Sequence, residues 1–137
     1  MIWKFGIIGA GLIADFHAKA IQSLPNAKLI GICGTNASKV KALSEKYKCK
    51  IFDSVEAMLQ SDQIDIVTIA TPSGAHMEPV VEAAKKGKHV ICEKPLEISL
   101  ERIDKMIAAH EKSGTRLGGI FNYRYNDSVR ILKSTVE

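Results

Sequence analysis

Lys4-Phe5-Gly6-Ile7-Ile8-Gly9-Ala10-Gly11-Leu12-Ile13-Ala14 is the stretch whose reading decides the fold. An apolar strand runs straight into Gly-x-Gly-x-x-Ala and then into a helical pattern. In such a turn Gly9 allows the tight bend, Gly11 lets backbone N–H groups approach a pyrophosphate with no Cβ in the way, and Ala14 lets the helix pack closely on the strand. The phosphate charge then sits at the positive end of the helix dipole. A glycine turn alone is more often an ordinary bend than a nucleotide site, so its flanks carry the weight. Phe5, Ile7 and Ile8 read as a buried strand, and Ile13, Phe16, Ala20 and Leu24 recur near helical spacing as one expected apolar face.

Composition narrows the class. A chain of 137 residues that is 46% hydrophobic is enough for one ordinary domain with a proper core. It has no run of about 18 apolar residues to span a bilayer and no basic segment leading an apolar stretch and cleavage site, so a cytoplasmic location is expected. The three cysteines, Cys33, Cys49 and Cys92, are odd in number and widely spaced. They read as small buried or half-buried thiols, with neither a disulfide framework nor a metal site expected. The net charge of +4 comes largely from lysines scattered along helices, such as Lys39, Lys41, Lys46 and Lys48. Clustered basic residues interleaved with aromatics, as a nucleic-acid surface needs, are missing.

Strands and helices alternate along the chain without linker or repeat. Lys28 to Cys33 reads as the second strand, Ser38 to Tyr47 as a helix, and Lys50 to Phe52 as a short third strand. Ser54 is placed to cap a helix through Leu59. Ile64 to Ala70 has the β-branched character of a strand buried on both faces. A helix from about Ala75 to Lys86 ends at Gly87, and Lys88 to Cys92 follows as the fifth strand. Ser99 caps a helix whose apolar residues Leu100, Ile103, Met106 and Ile107 share a side. Gly114 closes it before a strand from Arg116 to Phe121. Right-handed crossovers make this an α/β fold, a doubly wound parallel Rossmann sheet of order 3-2-1-4-5-6.

Ligands of such sheets bind beyond the carboxyl ends of the strands. Thr71-Pro72-Ser73-Gly74-Ala75-His76 follows the fourth strand, Glu93-Lys94-Pro95 the fifth, and Asn122-Tyr123-Arg124-Tyr125 the sixth. Singly, each is explicable as a turn, an exposed charged pair or a surface arginine. Their convergence on one sheet edge is what marks a site.

With GAGLIA at the start, TPSGAHMEPVVEAAKKGKHVICEKP in the middle and FNYRYN after it, the chain resembles the glucose-fructose oxidoreductase, inositol dehydrogenase and rhizopine-catabolism (Gfo/Idh/MocA) family. The resemblance runs from Ile2 to about Val129. It implies a nucleotide-binding domain over residues 1–121, with 122–137 beginning a truncated second domain that would carry substrate contacts and the interface of a homo-oligomer. It further implies that Gly9, Gly11, Leu12 and Ile13 hold the pyrophosphate, that Thr71 and Pro72 lie beside the nicotinamide ribose, and that His76 and Asn122 are further cofactor-site positions. Glu93 and Lys94 match the family's EKP motif, in which the lysine stands by the nicotinamide and the reacting hydroxyl. A cis bond between Lys94 and Pro95 is expected on the same ground. The activity implied is hydride transfer between a nicotinamide cofactor and a secondary alcohol of a polyol, sugar or sugar derivative. A non-catalytic module that binds or senses a dinucleotide is the alternative. Lys94 argues for the enzyme.

Cofactor choice in this fold usually turns on an acid about 20 residues past the glycine turn, which hydrogen-bonds the ribose 2′-OH. Here that position is Gly34, within Cys33-Gly34-Thr35-Asn36-Ala37-Ser38-Lys39. With no carboxylate to repel a 2′-phosphate, and with donors at Thr35, Asn36, Ser38 and Lys39, the sequence favours NADP over NAD. The same residues equally suit an ordinary turn into a capped helix.

Overall fold

A computed structural model describes all 137 residues. The elements run β1 (Trp3–Ile8), α1 (Leu12–Ser23), β2 (Ala27–Cys33), α2 (Ala37–Tyr47), β3 (Lys50–Ile51), α3 (Val55–Gln60) and β4 (Ile66–Ile69). After a 3-10 turn at Ser73–Ala75 come α4 (Met77–Lys85), β5 (His89–Cys92), α5 (Leu100–Ser113) and β6 (Leu117–Gly119), then a second 3-10 turn (Asn122–Tyr125) and α6 (Asp127–Val136). All pairings are parallel and the sheet order is β3-β2-β1-β4-β5-β6, as the alternating pattern predicts.

The sheet has a core on each face. On one, Phe5, Ile7, Leu29 and Ile32 meet Ala14, Ala18 and Ile21 of α1 and Val40, Leu43 and Tyr47 of α2. On the other, Ile8, Val67, Ile69 and Val90 meet Met58 and Leu59 of α3, Val80 and Ala83 of α4 and Met106 of α5. Both faces of the central strands are thus covered, which is why these strands read as unbroken apolar runs. The expected caps are in place: Ser54 accepts from the Ala57 amide and Ser99 from the Arg102 amide, while Gly87 and Gly114 take positive φ past α4 and α5.

Two helix faces differ from expectation. α1 buries Ala14, Ala18 and Ile21, whereas Ile13, Phe16 and Leu24 are 39%, 60% and 50% exposed. Over the first two turns the inward residues are small because the glycine turn brings the start of α1 close against β1, and a larger side chain, Ile21, is buried only further along. α5 buries Met106 and His110, leaving Leu100 and Ile107 exposed and Ile103 half-buried. From Asn122 onward no residue is buried.

Candidate dinucleotide-binding site

The glycine turn is built as its spacing demands. Gly9 sits at φ +115, and a Cβ there would collide with the Ala70 carbonyl on the neighbouring strand end. Its N–H donates to the Cys33 carbonyl at 2.8 Å, closing the turn against β2. Gly11 is the N-cap of α1 and supplies no side-chain cap. A Cβ on Gly11 would meet nothing within 4 Å, so it would project into open space. The first-turn amides of Leu12 and Ile13 find no acceptor in the protein; Ala14 N–H reaches the Gly11 carbonyl at 3.1 Å. An uncapped helix start with free amides and a positive dipole end is a cradle for an anion, and a pyrophosphate fits it.

Asp15, in the same first turn, would oppose that charge if it were free. Its carboxylate is instead held 2.6 Å from Lys46 Nζ and 2.8 Å from the Tyr47 hydroxyl. The Lys46 hydrogen bond, then that of Tyr47, holds the Asp15 carboxyl below its ordinary value.

From this turn opens a cleft of about 810 Å³ across the carboxyl ends of β1 to β4. Gly9, Gly11, Leu12 and Ile13 line it from the glycine turn; Gly34, Thr35, Asn36 and Lys39 from beyond β2; Thr71 and Pro72 from beyond β4. The structure therefore gathers these predicted residues into one site. Asp53, Ser54 and Val55, from the loop after β3, also line it. They went unread because the third strand is so short, although the strand-end rule applies to it equally. Gly34 is closely approached: a Cβ there would stand 3.3 Å from Ala10 Cβ and from Val40 Cγ2. Asn36 is the N-cap of α2, accepting from Lys39 N–H at 3.0 Å and from the Ser38 hydroxyl at 2.8 Å. Its carbonyl oxygen and the Ser38 proton are thereby engaged, and the Thr35 hydroxyl and Lys39 ammonium remain free donors.

Beyond β5 the chain turns through a cis Lys94–Pro95 bond. Glu93 N–H donates to the Ile69 carbonyl at 3.1 Å, which fixes this segment beside Ala70 and Thr71 at the same sheet edge. Lys94 is exposed and makes no ion pair. Glu93 faces α1, with Oε1 2.9 Å from Nε2 of His17 and Oε2 accepting from Lys94 N–H at 3.1 Å.

Four expected cofactor-site positions, His76, Glu93, Lys94 and Asn122, lie outside the lining of this cleft. His76 is 1% exposed and outside the cleft lining. Its Nε2 lies 2.9 Å from the Thr71 carbonyl, and its Nδ1 lies 3.0 and 3.1 Å from the Pro95 and Leu96 carbonyls. It is a strut between the loops that carry Thr71 and Lys94. Asn122 lies exposed in the 3-10 turn after β6, also outside the lining. A second strut is Glu97, a buried residue with no motif to announce it. It accepts from Ile98 and Met77 amides at 2.8 and 2.9 Å and from Arg102 at 3.2 Å, and Arg102 also binds Glu78 at 2.8 Å. Burial alone would raise the Glu97 carboxyl, but the two amides and Arg102 outweigh it and hold the group below its ordinary value.

The three cysteines are free thiols, and Cys33 is part of the cleft lining. Burial pushes the Cys33 thiol up to about 11, and burial, then Glu93 and Glu97, pushes Cys92 up to about 12. No three His, Cys, Asp or Glu side chains gather as a metal site would require. No helix is long and apolar enough to cross a membrane.

A doubly wound sheet with an open glycine cradle and a cleft over its switch point defines a dinucleotide-binding domain. Residues 3–121 match the model of the oxidoreductase family with an NAD-binding Rossmann fold, and the chain belongs to that family, Gfo/Idh/MocA. It is 38% identical to glucose-6-phosphate 3-dehydrogenase of Bacillus subtilis over 97% of this chain and 37% of that protein. Against myo-inositol 2-dehydrogenase of Thermotoga maritima it is 30% identical, over 98% of this chain and 40% of that one. Among solved structures it is similar to the WlbA dehydrogenase of Bordetella pertussis in complex with NADH and UDP-GlcNAcA. There the TM-score is 0.95 at 32% identity, covering 98% of this chain and 39% of that one. The chain spans about two fifths of the length of these relatives.

Proposed function

We propose that the protein carrying this domain moves hydride between a nicotinamide cofactor and a secondary alcohol of a polyol, sugar or sugar derivative. The observation that carries the reading is Lys94, an exposed ammonium with no acid partner, in the segment that follows β5 beside the carboxyl end of β4. A pure dinucleotide sensor has no use for a cation there. A bound nicotinamide supplies the hydride acceptor or donor. The chain's residues do the rest. Leu12 and Ile13 amides at the α1 start hold the pyrophosphate, and Thr71 and Pro72 flank the ribose. Lys94 stabilises the alkoxide that develops as the hydroxyl loses its proton, or relays that proton, passing one of its own onward as it takes the hydroxyl's. Glu93 has both oxygens engaged and serves as a partner to its surroundings, not as an independent base.

NADP is favoured over NAD. No carboxylate stands at Gly34, and the Thr35 hydroxyl and Lys39 ammonium are free to meet a 2′-phosphate. The test of the whole reading is Lys94→Ala in the full-length protein, assayed with inositols and sugar phosphates alongside cofactor titration. A kcat about a hundredfold lower at near-unchanged cofactor affinity is expected for loss of a group acting in the transition state. An unchanged kcat overturns it.

A further inference from the structure

His17 lies a turn and a half into α1 with a side chain only 10% exposed, and it points at a group 76 residues away. It shares the inward face of α1 with Ala14 and Ala18, both fully buried. Those alanines hold the helix against the sheet closely enough for the ring to reach the end of β5. Its Nε2 stands 2.9 Å from Glu93 Oε1, and Glu93 is itself 14% exposed. Its other nitrogen, Nδ1, is buried with no partner. The ring therefore gains nothing from Nδ1, and what the histidine supplies there is one bond to Glu93.

That bond decides where a charge goes. Glu93 is adjacent to Lys94 in sequence, yet its carboxylate turns away: Oε1 accepts from His17 and Oε2 from the Lys94 backbone N–H. A carboxylate oxygen accepts, so the proton of the His17 bond is the one on Nε2. Lys94, the next residue, carries an ammonium with no acid partner at present, and a carboxylate released from His17 would be free to pair with it. We infer that His17 is a positioning residue for the reaction: by tying Glu93 to α1 it keeps Lys94 unpaired, and it joins the phosphate-binding helix and the lysine loop into one unit. This rests on the role given to Lys94 above. His76 and Glu97 brace the same loop from the α4 side, so His17 is its anchor on the α1 side.

The test uses His17→Leu, His17→Gln and the double variant His17→Leu/Glu93→Gln. In this chain, acylation of Lys94 by a lysine-selective active ester is mapped by mass spectrometry against exposed Lys112, and NADH binding is followed by fluorescence. In the full-length protein, kcat and KM are measured. His17→Leu should lose Lys94 labelling relative to Lys112 and lower kcat about tenfold or more, as misplacing a reacting group does, with NADH affinity little changed. His17→Gln, whose amide N–H reaches the Nε2 position, should recover both. The double variant should recover labelling, because no carboxylate remains to capture the ammonium. If His17→Leu does not fold, His17→Asn, too short to reach Glu93, replaces it. Wild-type labelling in His17→Leu, or no recovery in the other two, overturns the inference. A Lys94→Ala protein of undiminished kcat would instead sink the reading of Lys94, while the labelling result still decides what His17 holds.

Discussion

Replacing Gly11 with serine separates the cradle's stability from its binding, because the two should move in opposite directions. Gly11 is the N-cap of α1 at φ −84, an ordinary conformation for any residue, and a Cβ there meets nothing within 4 Å. Serine is a better N-cap than glycine by a few tenths of a kcal/mol, because its hydroxyl accepts from a first-turn amide. Gly11→Ser should therefore unfold in urea at the wild-type midpoint or slightly above it. The same hydroxyl occupies an amide that a phosphate oxygen would use, and the Cβ stands in the space the phosphate would enter. Losing one hydrogen bond to a charged group costs about 1.5–3 kcal/mol. That corresponds to about ten- to hundredfold weaker NAD(P)H binding. Fluorescence titration beside the urea curve reads both quantities. Wild-type affinity in a folded Gly11→Ser would refute the assignment of these amides to the pyrophosphate. A marked drop in stability would refute the geometry of the turn.

Three other outcomes follow. NADPH should bind more tightly than NADH, and Lys39→Ala should narrow the gap; tighter NADH binding by the unaltered protein would reverse the assigned preference. The 137-residue chain alone should bind cofactor yet turn over no polyol, since it spans only about two fifths of its relatives; robust turnover of inositol or sugars by this chain would contradict that. Glu97 is held below its ordinary value of 4.5, so its contribution to stability is present above that pH and lost as pH falls through the lower folded value. Glu97→Gln should lower Tm at neutral pH and flatten its acid decline, and an acid limb as steep as the wild type would show that Glu97 is not its source.

Sheet order, crossovers, caps and the glycine turn were legible because each rests on local chemistry: β-branched runs, Ser54 and Ser99 before helices, glycine where φ is positive. The cleft lining from Thr35, Lys39 and Thr71 was legible through the strand-end rule. What the sequence left unread are long-range pairings. His76 stands in a family motif, and only the fold shows both ring nitrogens turned to backbone carbonyls of two loops. Glu97 and Arg102 look like surface charges until α4 and α5 are packed together.

The misread face of α1 has a different cause. Reading the helix by its largest apolar residues selects Ile13, Phe16 and Leu24, but burial depends on how near the helix axis lies to the strand. The motif had already specified that distance through Ala14, the residue that lets helix and strand touch. Helical spacing from Ala14 carries the inward face through His17 and Ala18 to Ile21. Followed from the small residue, the same period that put Phe16 inside puts Phe16 out and brings His17 to the sheet. A histidine on a face otherwise made of alanine and isoleucine must then find a polar partner across the sheet edge. The acid it reaches is Glu93, in the segment after β5. The link between the phosphate helix and the lysine loop was thus contained in the glycine motif, in the residue whose smallness fixes the packing distance.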